Sequence, residues 1–406
     1  MKRIDFLKVV LAAATVFPVF PAVAQERLQA DGVLRIVTAV TPKLIAEENS
    51  VERLQEMKEC GINVCITGAE WETLDKILKN AQKAGVKLGI HPHGLDTAYI
   101  QRLMKYPALD FYSLADEPHA DAFPKVGELV KQIQSVDTIH ACYVNMLPKI
   151  PETLINGSYV EFVDSFLRVA PVPVISYDRY SIGEDENGKH FQEEGFYDNL
   201  EDILVCSQKH GLPFWTYVNA VPHASYPVPT VGELKLQQYS NLAYGAQGLQ
   251  YFTYMPWPEL DGMGGHTTRD AILGFDGKRT VIYDRVKRVN DEIQTLAGVF
   301  LGSKPVWVRH TGKRIPKGTK MLGALPEQIP ALETGDSGAV VSLLERGNRR
   351  FLVIVNRDFQ NPMKLTIATG DKVKRVRKDA TLVPAGAYNP TTEVDPGDAM
   401  IYTWVE

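Results

Sequence analysis

Between Val33 and Leu301, short runs rich in β-branched and aromatic residues alternate with amphipathic stretches eight times over, and few architectures accept that pattern. The runs are 34–39, 63–67, 87–91, 111–115, 141–145, 174–177, 214–219 and 248–254, each followed by a segment with helical spacing. In the fourth such segment Val126, Leu129, Val130, Ile133 and Val136 share one face, and in the sixth Phe196, Leu200, Ile203 and Leu204 do. Gly61, Gly85 and Gly211 stand where a helix must hand over to the next strand, the position that favours a left-handed cap. Eight βα units of this size predict a closed (β/α)8 TIM barrel over residues 30–302. A doubly wound open sheet is the alternative, but no Gly-rich phosphate fingerprint follows the first strand.

After Gly302 the helical period disappears. Runs at 339–344, 351–356, 363–367 and 400–405 alternate apolar and polar residues between Gly, Asp and Asn turns, predicting a C-terminal antiparallel β-sandwich domain over 303–406. At the other end, residues 1–24 read as a signal peptide. Lys2, Arg3 and Lys8 form a basic start, 9–23 is apolar but broken by proline and too short to span a bilayer, and Ala22-Val23-Ala24 is a small-x-small cleavage motif. The expectation is a periplasmic or secreted protein, cleaved after Ala24, with no lipid anchor because no Cys follows the cut. Lys2, Arg3, Lys8 and Asp5 together carry +2, so their loss takes the formal charge from −5 to −7. With no basic run, nucleic acid and anionic membranes are excluded as natural partners. Cys60, Cys65, Cys142 and Cys206 lie within predicted elements and form no CxxC, which favours buried free thiols over disulfides or a zinc knuckle.

In such a barrel the active site lies at the C-terminal ends of the strands. The fourth run ends in Ala115-Asp116-Glu117-Pro118, where Pro118 biases Glu117 to an extended backbone and so aims its carboxyl off the end of the sheet. The other ends supply Glu70, His91 with His93, Tyr143 with Asn145, Tyr177 with Asp178, Trp215 and Asn219 followed by His223, and Tyr254 with Trp257. Carboxylates, aromatics, amides and imidazoles dominate, and Arg179 is nearly the only cation. Sugars suit that set, since their C–H faces stack on rings and their hydroxyls need bidentate partners. Phosphorylated substrates would need cationic clamps.

Cleavage of a glycosidic bond requires two carboxyl groups. Glu117 is the candidate general acid, its pKa raised by neighbouring Asp116, and Asp178 is the candidate nucleophile or base. Asp116, Glu70, His91, Tyr143, Asn145, Tyr177, Trp215, Asn219, His223, Tyr254 and Trp257 are the substrate-binding candidates, with segments 181–195 and 259–268 as pocket walls. Each has a plainer reading. Asp116 and Glu117 would cap the helix starting near Ala122, Asp178 would tie a turn, and about half of the aromatics would be core. His91-x-His93 also suits a metal-dependent hydrolase, but only His223 and the carboxylates offer further ligands and no bridging Lys is in view, so no metal or cofactor is expected.

Residues 112–118, 174–180, 212–215 and 243–254 together resemble bacterial (β/α)8 glycoside hydrolases of the large clan that includes β-galactosidases. The resemblance spans the barrel and runs on through Phe275-Asp276-Gly277-Lys278; in that clan an all-β domain often follows the barrel. It implies an acid/base Glu after strand four, matched by Glu117, and a nucleophilic Glu after strand seven. Here strand seven ends in Asn219, and Glu233 falls inside the next helix. Barrel glycosidases resembling the α-galactosidase group pair acids from strands four and six, which fits Glu117 with Asp178. The reading is an exported glycoside hydrolase acting on the end of an oligosaccharide or polysaccharide; the alternative is a carbohydrate-binding protein without catalysis.

Overall fold

The computed structural model describes residues 27–46, 49–155, 157–256 and 269–406. The leader 1–24, the wall segment 259–268 and Trp257 lie outside the described residues. Strands β1 (Arg35–Ala39), β2 (Val64–Thr67), β3 (Lys87–Ile90), β4 (Leu109–Asp116), β5 (Ala141–Met146) and β6 (Ile175–Asp178) run parallel. A hairpin of β7 (Ile182–Glu184) and β8 (His190–Gln192) interrupts the series before β9 (Phe214–Asn219) and β10 (Gly248–Phe252). β9 pairs with β6 and β10 closes onto β1, giving an eight-stranded parallel barrel. Gly85 and Gly211 cap their helices with φ of 68° and 64°, the left-handed turn that a Cβ would penalise.

Alternation sorts each strand. Outward residues such as Cys65, Leu88, Tyr112, Cys142, Tyr177 and Tyr251 pack under the helices. Inward residues Val37, Val64, Ile66, Phe111, Tyr143, Val174 and Trp215 form a second, internal cluster. The rings of Phe111, Tyr143 and Trp215 meet at centroid distances of 5.0–5.9 Å. Space for them comes from glycine: a Cβ on Gly89 would stand 2.2 Å from the Phe111 ring, and one on Gly248 2.6 Å from Trp215. This aromatic plug makes the barrel a packed core rather than a pore, so a ligand has only the strand ends to bind.

The C-terminal part holds a six-stranded antiparallel sheet in the order β11 (Lys304–His310), β13 (Ala339–Arg346), β14 (Arg349–Asn356), β19 (Ala399–Val405), β16 (Lys374–Val376), β17 (Leu382–Pro384). A three-stranded sheet of β12 (Ala331–Glu333), β15 (Met363–Ala368) and β18 (Thr391–Val394) faces it. Val341, Leu343, Leu352, Ile354 and Trp404 fill the space between the two sheets. Val340, Leu344, Phe351, Val353 and Ile401, on the opposite face, join the barrel's own core. The helix Val231–Ala243 is caught between barrel and sheet, and every residue from Glu233 to Ala243 is buried. A charge network crosses the same contact: Lys235 Nζ donates to Asp398 Oδ2 (2.7 Å) and Glu292 Oε2 (2.9 Å), and Lys378 Nζ donates to Glu292 Oε1 (2.7 Å) and to Asp398. All four cysteines are buried and free, as expected from their placement in the sequence.

Candidate active site

The mouth of the barrel holds a cavity of about 350 Å³, near the lower end of the ~300–1,000 Å³ of small-molecule sites. Asp116 and Glu117 enter from the end of β4, Asn145 from β5 and Asp178 from β6, with His91, Tyr180, Tyr217, His223 and Phe252 around them. Register brings the polar groups together: Asp116 pairs with Asn145, Asn145 with Ser176, and Asp178 with Tyr217. A bulge in β4 between Ser113 and Ala115 re-aims its last residues against β5.

Glu117 does not take the extended backbone expected of a residue before proline. Its φ is +47°, and its N–H donates to the Asn145 carbonyl at 2.8 Å, so the ladder runs one residue past β4 before the chain turns sharply. A left-handed glutamate is costly by about 1–3 kcal/mol, and such strain persists where surrounding structure fixes it, often at functional sites. Burial holds the Glu117 carboxyl above its ordinary value, and the Asp116 charge adds to this, while a hydrogen bond with Asp178 and nearby His119 oppose it. Asp178 is the more enclosed of the two; burial, the Glu117 charge and the hydrogen bond to Glu117 lift its carboxyl well above the usual range. Two carboxyls in hydrogen-bond contact hold a proton between them.

Asn145 is the hub. Its Nδ2 spends one hydrogen on Asp116 Oδ1 (3.0 Å) and the other on Asp178 Oδ1 (3.0 Å), and its Oδ1 accepts from Ser176 Oγ (3.0 Å). Ser176 in turn accepts from Gln250 Nε2 (2.8 Å), and Tyr143 OH donates to Gln250 Oε1 (2.8 Å) and contacts Ser176 Oγ at 2.8 Å. The two histidines are oriented by backbone: His91 Nδ1 lies 3.0 Å from the Ser113 carbonyl and His223 Nδ1 2.7 Å from that of Val221, so each Nδ1 carries the proton. Burial lowers the His91 pKa, leaving a neutral ring in the cavity. Tyr180 stacks on Phe252 (6.2 Å, 22° between planes) and meets His223 and Tyr226 edge-on, forming an aromatic wall.

Several expected contacts fall elsewhere. Tyr177 points outward into the barrel–helix core because alternation along β6 puts it opposite Ser176 and Asp178; Tyr254, two residues past the end of β10, joins the same core although strand parity alone would have turned it inward. Trp215 shares the inward face of β9 with Tyr217 but sits lower, inside the aromatic plug. Asn219 is buried and ties its own turn, Oδ1 accepting from Val221 N at 3.3 Å. Glu70 precedes the helix Trp71–Ala84 and bonds exposed His93 at 3.0 Å, away from the cavity lining. No residue of the 182–192 hairpin lines the cavity. Among the described residues no three His, Cys, Asp or Glu side chains converge to hold a metal ion. Glu233 closes a capping box with Thr230, accepting from Thr230 N at 2.7 Å, and also bonds His190.

Sequence reasoning missed Tyr180, Tyr217, Phe252, Ser176 and Gln250 as site residues. Counting by twos from Asp178 and Trp215 reaches Tyr180, Ser176 and Tyr217, so period two was the available signal. No such count links Gln250 to Tyr143, which lie 107 residues apart.

No protein-family model matches the sequence, and no curated protein matches it. Among solved structures, the β-galactosidase of Bacillus circulans sp. alkalophilus superposes with a TM-score of 0.60 at 9% identity, covering 92% of this chain and 99% of that one. The β-galactosidases of the haloarchaeon Halorubrum lacusprofundi (TM-score 0.49, 12% identity, 66% of this chain) and Marinomonas ef1 (0.47, 13%, 65%) also match. The chain spans about three fifths of the length of those two, 59% and 60%. In structure, and in structure alone, the chain has the TIM-barrel fold of glycoside hydrolases and resembles the β-galactosidases.

Proposed function

We propose that the protein is a glycoside hydrolase that removes a sugar from the end of an oligosaccharide or polysaccharide, using Glu117 and Asp178. The observation that carries this reading is the hydrogen-bonded pair of raised carboxyls facing the blind cavity. Retaining enzymes hold their two carboxyls ~5–5.5 Å apart and inverting ones ~6.5–9.5 Å, and in the unliganded site Glu117 and Asp178 interact directly through a hydrogen bond. A glycosidic oxygen must come between them, and the shorter, retaining separation needs the smaller movement. In the unliganded site the directions of the two shifts put the shared proton on Asp178; substrate entry would pass it to Glu117, which would then protonate the leaving oxygen. Asp178, whose carboxylate keeps the Asn145 amide hydrogen, would attack the anomeric carbon, and water, deprotonated by Glu117, would release the sugar. Asp116 lies beside Glu117 and would accept a sugar hydroxyl, and the Tyr180–Phe252 wall offers a face for sugar C–H groups.

The test is hydrolysis of a panel of oligosaccharides and aryl glycosides. Glu117→Gln should lose about 10²–10⁴-fold on poor leaving groups and much less on good ones, while Asp178→Asn should lose activity on both. The reverse pattern would exchange the two roles, and a chelator-sensitive activity restored by one divalent ion would overturn the carboxylate mechanism. We propose also that residues 30–302 form the catalytic domain, that 303–406 form a β-domain, and that residues 1–24 direct export with cleavage after Ala24; N-terminal sequencing of the mature protein from a periplasmic fraction checks the last point.

A further inference from the structure

Asn145 was expected to bind substrate, but both of its amide hydrogens are already used, one on Asp116 and one on Asp178. We infer that Asn145 is a positioning residue that clamps the acids of β4 and β6 across β5, and that Ser176, Gln250 and Tyr143 lock its amide in the donating orientation. The inference rests on the reading of Glu117 and Asp178 as the reacting pair.

An amide is two-sided, and a flipped Asn145 would aim its oxygen at two carboxyls. The two carboxyl oxygens, each 3.0 Å from Nδ2, oppose this flip, and in the observed orientation Ser176 Oγ donates to Oδ1 at 3.0 Å. Ser176 can donate there because it accepts from Gln250 Nε2, and Gln250 is itself oriented by Tyr143, whose hydroxyl donates to Oε1. Each group in the chain is buried or half-buried, so a wrong orientation would leave a polar group unpaired at a cost.

The clamp acts on charge as well as position. An N–H donated to Asp178 favours its ionised form, opposing the lift from burial and from Glu117. The other titratable groups facing the pair are Asp116 and His119 at and just after the end of β4 and the neutral His91 after β3, facing Asp116. Tyr143, Tyr159, Tyr180, Tyr217 and Tyr226 surround it and are held above their ordinary value by burial, so they stay neutral. Asn145 is therefore the side-chain amide that sets how readily the pair gives up its shared proton.

The experiment compares wild type with Asn145→Ala, which removes the donors, and Asn145→Asp, which keeps the shape but only accepts. Two readouts are taken: the pH profile of kcat/KM on an aryl glycoside, and the titration of ¹³C-labelled Asp and Glu carboxyls by NMR. Both limbs of the profile and the Asp178 resonance should move to higher pH by about one to two units in Asn145→Ala, the worth of one charge-assisted hydrogen bond. Asn145→Asp, which adds a like charge, should move them at least as far. Ser176→Ala should give a smaller shift in the same direction. Unchanged limbs and resonances, with only a lower melting temperature, would make Asn145 a structural residue and overturn the inference. If the wild type cleaves no glycoside, the proposed function fails, but the NMR titration still decides whether Asn145 controls Asp178.

Discussion

Replacing Asp178 by asparagine should stabilise the protein while removing its chemistry. In the native site Asp178 is enclosed beside Glu117 and Asp116, and its carboxyl is held well above the value it has in the unfolded chain. Between those two values the folded state holds a proton that the unfolded state has lost, so stability falls as pH rises. The slope is about 1.4 kcal/mol per pH unit, and the loss is complete once pH passes the folded value. An asparagine carries no charge to lose. Its Oδ1 can still accept from Asn145, and its Nδ2–H₂ can donate permanently to Glu117, doing what the shared proton does in the wild type. The variant should therefore match the wild type near pH 4 and exceed it progressively above, until pH passes the folded value of Asp178, with a matching rise in relative melting temperature. Calorimetry or chemical denaturation of both proteins from pH 4 to pH 8 reads this directly. Parallel stability curves, or a variant less stable than the wild type at pH 8, would refute the claim that Asp178 is strained by its carboxylate neighbours.

Three further outcomes follow from the packing. Gly89→Ala places a methyl 2.2 Å from the Phe111 ring inside the aromatic plug, so it should destabilise by about 1–3 kcal/mol, measured in urea, with the loss reversed in part by Phe111→Leu. Lys235→Met leaves Glu292 and Asp398 facing each other where barrel and sheet meet, and should cost about 3–5 kcal/mol of unfolding free energy; Lys378 remains to limit the damage. His310, buried against Tyr197 and Tyr244 and near Arg357, is lowered by burial to a pKa of about 3. The unfolded chain takes up a proton below pH ~6.5 that the folded state refuses, so stability falls on acidification from there toward pH 3. His310→Phe should remove that part of the acid sensitivity in a pH series of melting temperatures.

Much of this architecture is legible in the chain because barrel strands are short, apolar and separated by helices whose period differs from theirs. The run 214–219 coincides with β9, and the other seven barrel runs agree with their strands to within a few residues. The runs 339–344 and 351–356 fall within β13 and β14, but not for the alternation read into them: both strands are buried on two faces, one against the small sheet and one against the helix Val231–Ala243, so their buried residues run on continuously. Short β12, β16, β17 and β18, three or four residues each, carry too few residues to show a period. Within the site, acids at the ends of β4 and β6 were visible because strand ends can be counted. Which face an aromatic takes was not, so Tyr177 and Tyr254 were placed in the cavity and belong to the core. The left-handed Glu117 opposes the local preference set by Pro118, and only the β5 carbonyl that binds its N–H explains it. Ser176 and Gln250 are ordinary polar residues until the barrel closes and brings them beside Tyr143.

The most direct test of the account is the rate at which wild type, Glu117→Gln and Asp178→Asn release sugar from a set of aryl glycosides spanning several monosaccharides and both anomers. The account predicts hydrolysis of at least one glycoside by the wild type and a loss of about 10²-fold or more in each variant on an unactivated leaving group, with both variants folded. Full activity in either variant, or no hydrolysis of any glycoside by a folded wild type, would contradict it.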